Sequence, residues 1–471
     1  MRNALLLPDL RELIRDGQAA AVREFLEDYP PARQAELIED LHPAEAEAVL
    51  RLLEPKERAA IVSYLDHDRQ LELIESMSLE DAAALLRDMP HDDRADLVTR
   101  LDPDRSEMIL RRMAQAERDD IRRLTQYEPG TAGSVMTTDY ATLPPFVTVR
   151  EAIDHLRREA PDRETILTNF VVDHQRRLIG SITLQALILA RPTARVEDVM
   201  QPDPIRARVD DDREEVARKI AQYDLLALPI VDAEDRLVGI VTHDDALDIL
   251  REEQSEDLLR FGAVDYDAAE ADEDPGEEGI AAAVRRRIGW LLGLFMAAGI
   301  SASIIYLFEW VNRFGRDTLA IDFQIFIPLL IGTGGNAGSQ AVGTVIRGLA
   351  LGDIREGDFF RVVSREALTG ALLGSILGVI GFVASLVLCS IGVLGDVGFL
   401  ADLRFSVVIA LAVLGICTWA TTVGSAVPII ARRLGIDPAV VSAPMISTLV
   451  DTTGLVIFYC IAIVLLMMLG N

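Results

Sequence analysis

The sequence predicts a multi-domain protein: an all-α superhelical N-terminal domain, an α/β tandem pair, and a five-helix all-α transmembrane domain. Three observations predict it. Charge is confined, with 64 acids and 37 bases in residues 1–287 but only 11 and 9 in residues 288–471. The acidic part repeats with two different periods. The remainder holds five long apolar runs. These changes of pattern place an acidic helical-repeat domain at 1–130, a first α/β copy at 131–198, a second at 199–250, an acidic connecting helix and linker at 251–284, and the membrane domain at 285–471.

Residues 30–113 repeat every 12 positions. PPARQAELIEDL, HPAEAEAVLRLL, EPKERAAIVSYL, DHDRQLELIESM, SLEDAAALLRDM, PHDDRADLVTRL and DPDRSEMILRRM all carry apolar residues at the eighth, ninth and twelfth places. Those offsets share one face of a helix. Pro, Asp, Ser or His near the head of each unit suits a turn or N-cap before a short helix. Such units bury their apolar faces only against neighbours, so a wound stack of helices follows. Its acidic exterior argues against a nucleic-acid partner and makes cations the natural counter-charge.

A second pattern recurs at about 64 residues from position 136. VMTTDYATLPPFVTVREAIDHLRRE…TNFVVDHQRRLIGSITLQALI is echoed by VMQPDPIRARVDDDREEVARKIAQYDLLALPIVDAEDRLVGIVTHDDALDIL. Each copy passes from an extended start through an amphipathic helix to a strand pair and a closing helix. This resembles a tandem CBS pair, a regulatory module that senses adenine nucleotides or ions. In that family a Thr and an Asp three residues later hold ribose and phosphate. The second copy keeps Thr242 and Asp245, whereas the first has Thr183 followed by Ala186. The resemblance therefore leaves the second copy alone as a site for ATP or a related nucleotide.

Residues 242–279 contain 15 acids against Arg251 and Arg260. Over 265–279 this reads as a solvated linker. Over 244–257, Asp245, Asp248, Glu252, Glu253, Glu256 and Asp257 recur at helical spacing, and several would repel one another on one face unless divalent cations sat between them.

The apolar runs lie at roughly 288–308, 323–346, 367–395, 405–431 and 438–469, each long enough to cross a hydrocarbon core about 30 Å thick. The start, MRNALLLPDLRELIRDG, has too short an apolar stretch for a secretory signal, so the acidic domains are expected in the cytoplasm. Arg285, Arg286 and Arg287 before the first run, four Arg in 347–366 and Arg432–Arg433 before the last place those ends inside, against Arg404 alone in 396–404. Five crossings of the cytoplasmic membrane then leave the C-terminus outside. Cys389, Cys417 and Cys460 lie in apolar runs at wide spacing and read as packing residues.

Two stretches are too polar for a lipid-facing helix. PLLIGTGGNAGSQAV, residues 328–342, sets Asn336 and Gln340 four apart on one helical face among Gly332, Gly334, Gly335 and Gly338. Irregular or bare backbone at membrane depth must be packed in protein or line a cavity. In DPAVVSAPMISTLVDTTG, residues 437–454, Asp451 is a carboxylate deep in a span, costly enough to mark a functional site. Pro444 is expected to kink that helix and free carbonyl oxygens toward a cavity. Carboxylate, amide and carbonyl oxygens together suit a hard cation, Mg²⁺ above all, that keeps much of its water.

On these residues the chain resembles the MgtE family of magnesium channels and transporters. The likeness is collinear, from the acidic repeat through YEPGTAGSVMT (127–137) and the CBS pair to the spans. Two motifs make it specific: P-x6-G-N-x-G-x-Q, Pro328 to Gln340, and L-G-x-D-P-A-x-x-S-x-P…D-x-T-G, Leu434 to Gly454. The resemblance implies a homodimer in the lipid bilayer, with Asp451 of each copy holding hydrated Mg²⁺ in a central pore beside Asn336 and Gly332. It further implies closure by Mg²⁺ among Asp212, Glu214, Asp224, Asp245, Asp248, Glu253, Glu256, Asp257 and, at the inner mouth, Asp437. Ala443 stands where some relatives carry a polar side chain.

Two rival readings remain at this level. A carrier for Co²⁺, Ni²⁺ or Mn²⁺ is disfavoured because no His lies in or near the spans and no Cys adjoins Asn336 or Asp451. A membrane-tethered ion or nucleotide sensor has no need of Asp451 or the GTGGN segment. No nucleophile, base and orienting group occur together as an enzyme requires.

Overall fold

The computed structural model describes residues 3–160, 163–265, 280–314, 323–350, 352–391 and 399–469. It divides into two compact units, 1–253 and 254–471.

The first unit opens with ten short helices: α1 (Asn3–Arg15), α2 (Ala19–Glu27), α3 (Pro31–Glu39), α4 (Pro43–Leu50), α5 (Pro55–Ser63), α6 (His67–Ser76), α7 (Leu79–Asp88), α8 (His91–Arg100), α9 (Pro103–Leu110) and α10 (Gln115–Leu124). The 12-residue units map one to one onto α3–α9. The residues at their eighth, ninth and twelfth places, from Leu37, Ile38 and Leu41 to Ile109, Leu110 and Met113, are all buried. Four helices, α3, α4, α5 and α9, begin with Pro in the first turn, where no N–H is needed, and side-chain oxygens of Ser78 and Asp102 cap α7 and α9. Long polar side chains lash the stack together: Gln70 Nε2 donates to the Val62 and Leu65 carbonyls at 3.0 and 2.9 Å, and Arg105 Nη2 to the Met77 carbonyl at 2.9 Å.

Two α/β lobes follow. The first comprises β1 (Tyr140–Leu143), α11 (Val149–Glu159), β2 (Thr165–Val172), β3 (Leu178–Thr183), α12 (Leu184–Leu189), α13 (Val196–Val199) and β4 (Gln201–Pro202). The second comprises β5 (Ala207–Arg208), α14 (Arg213–Gln222), β6 (Ala227–Val231), β7 (Leu237–Thr242) and α15 (His243–Phe261). In each, a parallel pair is extended by an antiparallel one, giving orders β1-β2-β3-β4 and β5-β6-β7. The repeat is not uniform. Val149 and Arg213, which open equivalent helices, are 64 residues apart, but Thr183 and Thr242, which end equivalent strands, are 59 apart. The extra residues of the first copy fall between α11 and the part of β2 that pairs with β3, where the β1–β2 register shifts just after Glu164. Ala95 and Leu124 of the helical stack share a core with Val216, Leu228, Val241 and Ile249 of the second lobe.

The second unit holds five long helices: α16 (Ile280–Phe314), α17 (Ile327–Ala350), α18 (Phe359–Ser390), α19 (Phe399–Arg433) and α20 (Ala443–Leu469). Among the described residues, α16, α18, α19 and α20 are long and apolar enough to cross a membrane. The 24-residue α17 is the fifth long helix and carries the glycine-rich segment. Small residues set the packing. Gly374 and Gly378 of α18 lie so near α19 that a Cβ would come within 2.8 Å of Leu414 Cα and the Ala410 carbonyl oxygen.

Candidate functional site

The segment GTGGNAGSQ is helical throughout, so it supplies no irregular backbone. Its two faces differ. Gly334 and Gly338 face inward: a Cβ on Gly334 would lie 2.6 Å from Ile416 Cγ2, and one on Gly338 would lie 3.1 Å from Ile446 Cγ2 and 3.2 Å from Val450 Cγ2. These glycines let α17 sink between α19 and α20. Gly332, Asn336, Gln340, Thr344 and Arg347 follow one another at steps of three or four, and all are exposed in the single chain. They form a polar stripe along the opposite side of α17, and a Cβ on Gly332 would meet nothing within 4 Å.

Asp451 lies on α20 beside this helix. A Cβ on Gly335 would sit 3.4 Å from Asp451 Oδ1, which is sealed from solvent and has no hydrogen-bond partner among the described residues. The neighbouring turn is anchored from two sides: Trp419 Nε1 donates to Thr453 Oγ1 at 2.9 Å, and the Ser301 and Thr452 hydroxyls are 2.8 Å apart. One expectation is corrected. Pro444 is the second residue of α20, in the first turn where its missing N–H costs nothing, so it does not kink the helix. The last span accordingly begins at Ala443, after a 3-10 turn, Pro438–Val440, capped by Asp437 Oδ1 on the Ala439 N–H at 2.9 Å.

The acids of the first unit fall into two kinds. Asp212 caps α14, accepting from the Glu214 N–H at 2.7 Å, and Glu214 pairs with Arg218. Asp224 is exposed in a left-handed turn with φ of 51°. Asp248 pairs with Arg251 at 3.4 Å, while Glu253 and Glu252 hold Arg213 at 2.8 and 2.9 Å. These are locally satisfied. Asp245 is different. It accepts from the Thr242 hydroxyl and, at 3.3 Å, from the Thr242 N–H, so the two proposed nucleotide contacts engage each other.

Around Asp245 gather acids that the sequence reading missed. Asp92 and Asp93 open α8, Asp244 and Asp245 open α15, and Glu164 precedes β2. Burial and mutual repulsion push the carboxyls upward: Asp92 well above the usual range, Asp93 to about 6, Glu164 to about 7, and Asp245 upward despite its Thr242 hydrogen bonds. For Asp93 the shift means about 3 kcal/mol against ionisation. Asp92 Oδ1 is sealed from solvent without a hydrogen-bond partner among the described residues. The nearby cations are engaged elsewhere, with Arg94 Nη2 on Asp120 Oδ2 at 2.7 Å and His91 between Asp120 and Asp139 at 2.8 and 3.0 Å. A signal was present in the sequence, because the tripeptide His-Asp-Asp begins both α8 and α15. Among the described residues, no three carboxylate, imidazole or thiolate groups are already arranged to hold a metal ion.

Residues 327–461 match the family model of divalent cation transporters, 29–130 that of the MgtE intracellular N domain, and 132–192 and 196–252 that of CBS domains. The magnesium transporter MgtE of Thermus thermophilus is 39% identical over 349 residues, 74% of this chain and 73% of that protein. The chain belongs to the MgtE family of magnesium transporters. The Enterococcus faecalis MgtE is 35% identical over 346 residues, 74% of this chain and 71% of that one. The crystal structure of the cytosolic domain of the Mg²⁺ channel MgtE in complex with ATP is 37% identical, covers 52% of this chain and 100% of its own, and superposes with a TM-score of 0.50. MgtE membership makes this a multi-pass membrane protein of a family that transports Mg²⁺, and the relatives that match over about three quarters of the chain are named magnesium transporters, a non-enzymatic family.

Proposed function

We propose that the protein is a Mg²⁺-selective channel of the cytoplasmic membrane, built from two copies and closed by intracellular Mg²⁺. The observations that support this reading are the polar stripe of α17, uncovered in one chain, and the unpartnered Asp451 Oδ1 beside Gly335 of the same helix. The Asn336 and Gln340 amides and the Arg347 guanidinium facing lipid would be costly, so the stripe calls for a second copy and water against it. Two such faces make a pore lined by Asn336, Gln340 and Asp451, with Gly332 leaving room. All-oxygen groups without imidazole or thiolate suit hydrated Mg²⁺ as the substrate. Flux of Mg²⁺ into proteoliposomes tests it: Asp451→Ala should abolish flux in a folded dimer, Asn336→Ala should reduce it, and undiminished flux through Asp451→Ala would reject the site.

Closure follows from the crowded acids. Without divalent cations, Asp92, Asp93, Glu164, Asp244 and Asp245 oppose the packing of the helical stack on the second α/β lobe. Mg²⁺ shared among them removes that repulsion and favours a compact state, and Mg²⁺ shared by Glu256 and Asp257 with Asp437 at the inner mouth favours closure. The second α/β lobe is the place for ATP, with Thr242 and Asp245 released from each other to take ribose and phosphate. The Arg distribution sets the acidic domains inside and the C-terminus outside.

A further inference from the structure

The last turn of α15 carries a cation at the place where the gating reading puts a divalent ion. Arg260 Nη1 donates to Asp437 Oδ2 at 2.5 Å, and Nη2 of the same guanidinium meets Glu256 one turn back. The other oxygen of Asp437 caps the turn that leads into α20. Phe261, the next residue, packs with Val342, Ala431, Val441, Ile446 and Val450 of the pore helices and their connection. The end of α15 is therefore fastened to the base of α20 by one ion pair and one aromatic ring.

We propose that Arg260 is a built-in competitor for regulatory Mg²⁺, a residue that sets the concentration at which the pore closes. The inference rests on the reading of Glu256 and Asp437 as gating carboxylates. A guanidinium stays charged at any physiological pH, so it occupies these carboxylates whenever no stronger cation does. Mg²⁺ draws carboxylate oxygens or its own waters to within about 2.1 Å. It cannot share the two oxygens now facing Arg260 without forcing two positive centres together. Mg²⁺ binding at this point must expel the guanidinium, and the free energy of the resident pair is subtracted from that of the ion. Arg260 and Asp437 are each more than a third exposed, at 39% and 37%. Such a pair is weak enough to be displaced, and its size fixes the effect at roughly two- to fivefold in Mg²⁺ concentration.

The test is channel closure by Mg²⁺ applied to the side of the acidic domains, recorded for the full-length protein in bilayers. Arg260→Gln and Arg260→Met, which keep much of the stem, should each close at two- to fivefold lower Mg²⁺ than wild type. Arg260→Lys should stay near wild type because it restores the competing charge, an outcome that a purely structural role would not give. In an Asp437→Asn background the Arg260→Gln shift should vanish. An unshifted or raised closing concentration in Arg260→Gln and Arg260→Met, with normal closure of the wild type, overturns the role of Arg260 alone. A wild-type channel indifferent to Mg²⁺ would instead remove the gating reading on which the inference stands.

Discussion

Gly335 of α17 and Asp451 of α20 are packed so closely that a single methyl on the glycine would lie 3.4 Å from the aspartate Oδ1 and would overlap the Ser447 hydroxyl. The glycine gives the carboxylate its place. Gly335→Ala should force the Ser447 hydroxyl aside and crowd the space beside Asp451, lowering Mg²⁺ flux with little loss of folded protein. Gly299→Ala on α16, where an added Cβ meets nothing within 4 Å, should leave flux unchanged. Flux through purified protein at matched reconstitution compares the two. Equal flux in both variants would contradict the assigned packing.

The anchors beside Asp451 make a second prediction. Thr452 and Thr453 point about 100° and 200° around α20 from the aspartate, so Ser301 and Trp419 hold the helix from the sides that Asp451 does not occupy. Trp419→Phe removes one donor worth about 1 kcal/mol and frees the helix to rotate. Flux should fall several-fold, and Thr453→Val added to it should cost little more, because both changes break one bond. Additive losses in a double-mutant cycle would separate the two residues.

Much of the fold was legible because burial leaves periodic marks. The 12-residue register of Leu, Ile, Val and Met specified α3 to α9 of the stack, and the repeated Val-Met and Thr positions specified the two lobes. What stayed hidden depends on residues far apart in sequence. Glu164 joins Asp92 and Asp245 only because the first lobe carries extra residues before β2 and the helical stack packs on the second lobe. The glycines of α17 divide into packed and open faces only when α19 and α20 are in place. Pro444 misled because a proline reads as a kink unless the helix start is known, and α20 starts only at Ala443, where the Met445 N–H turns back to the Ser442 hydroxyl.

The raised carboxyls fix a pH dependence. Asp93 and Glu164 titrate near 6 and near 7 in the folded protein, above their ordinary values. Between about pH 4 and pH 7 the native state holds protons that the unfolded chain has released, so without Mg²⁺ the stability of the first unit falls as pH rises through that window. Mg²⁺ favours the ionised form, and its binding should expel protons near pH 6 and none above about pH 8.5. Titration of full-length protein with MgCl₂ in weak buffer measures this release. Proton release independent of pH would dissociate Mg²⁺ from these acids.

Neutralising the same cluster should imitate the ion. Asp92→Asn with Asp245→Asn removes the central repulsion, so protease protection of residues 1–253 should already be high at low Mg²⁺ and should rise little on adding more. Wild type should gain protection steeply over the millimolar range expected of exposed oxygen sites. An unchanged Mg²⁺ dependence in the double variant would move the sensor to other residues.

The central claim is that one ion both permeates the pore and closes it. Single-channel recording of the purified protein in planar bilayers, with Mg²⁺ as the sole permeant cation and its concentration varied separately on each side, tests this most directly. The account predicts unitary Mg²⁺ currents that Asp451→Asn eliminates, and an open probability that falls steeply as Mg²⁺ rises on the side of the acidic domains but not on the other. Mg²⁺ currents that persist in Asp451→Asn, or an open probability unmoved by Mg²⁺ on either side, would contradict it.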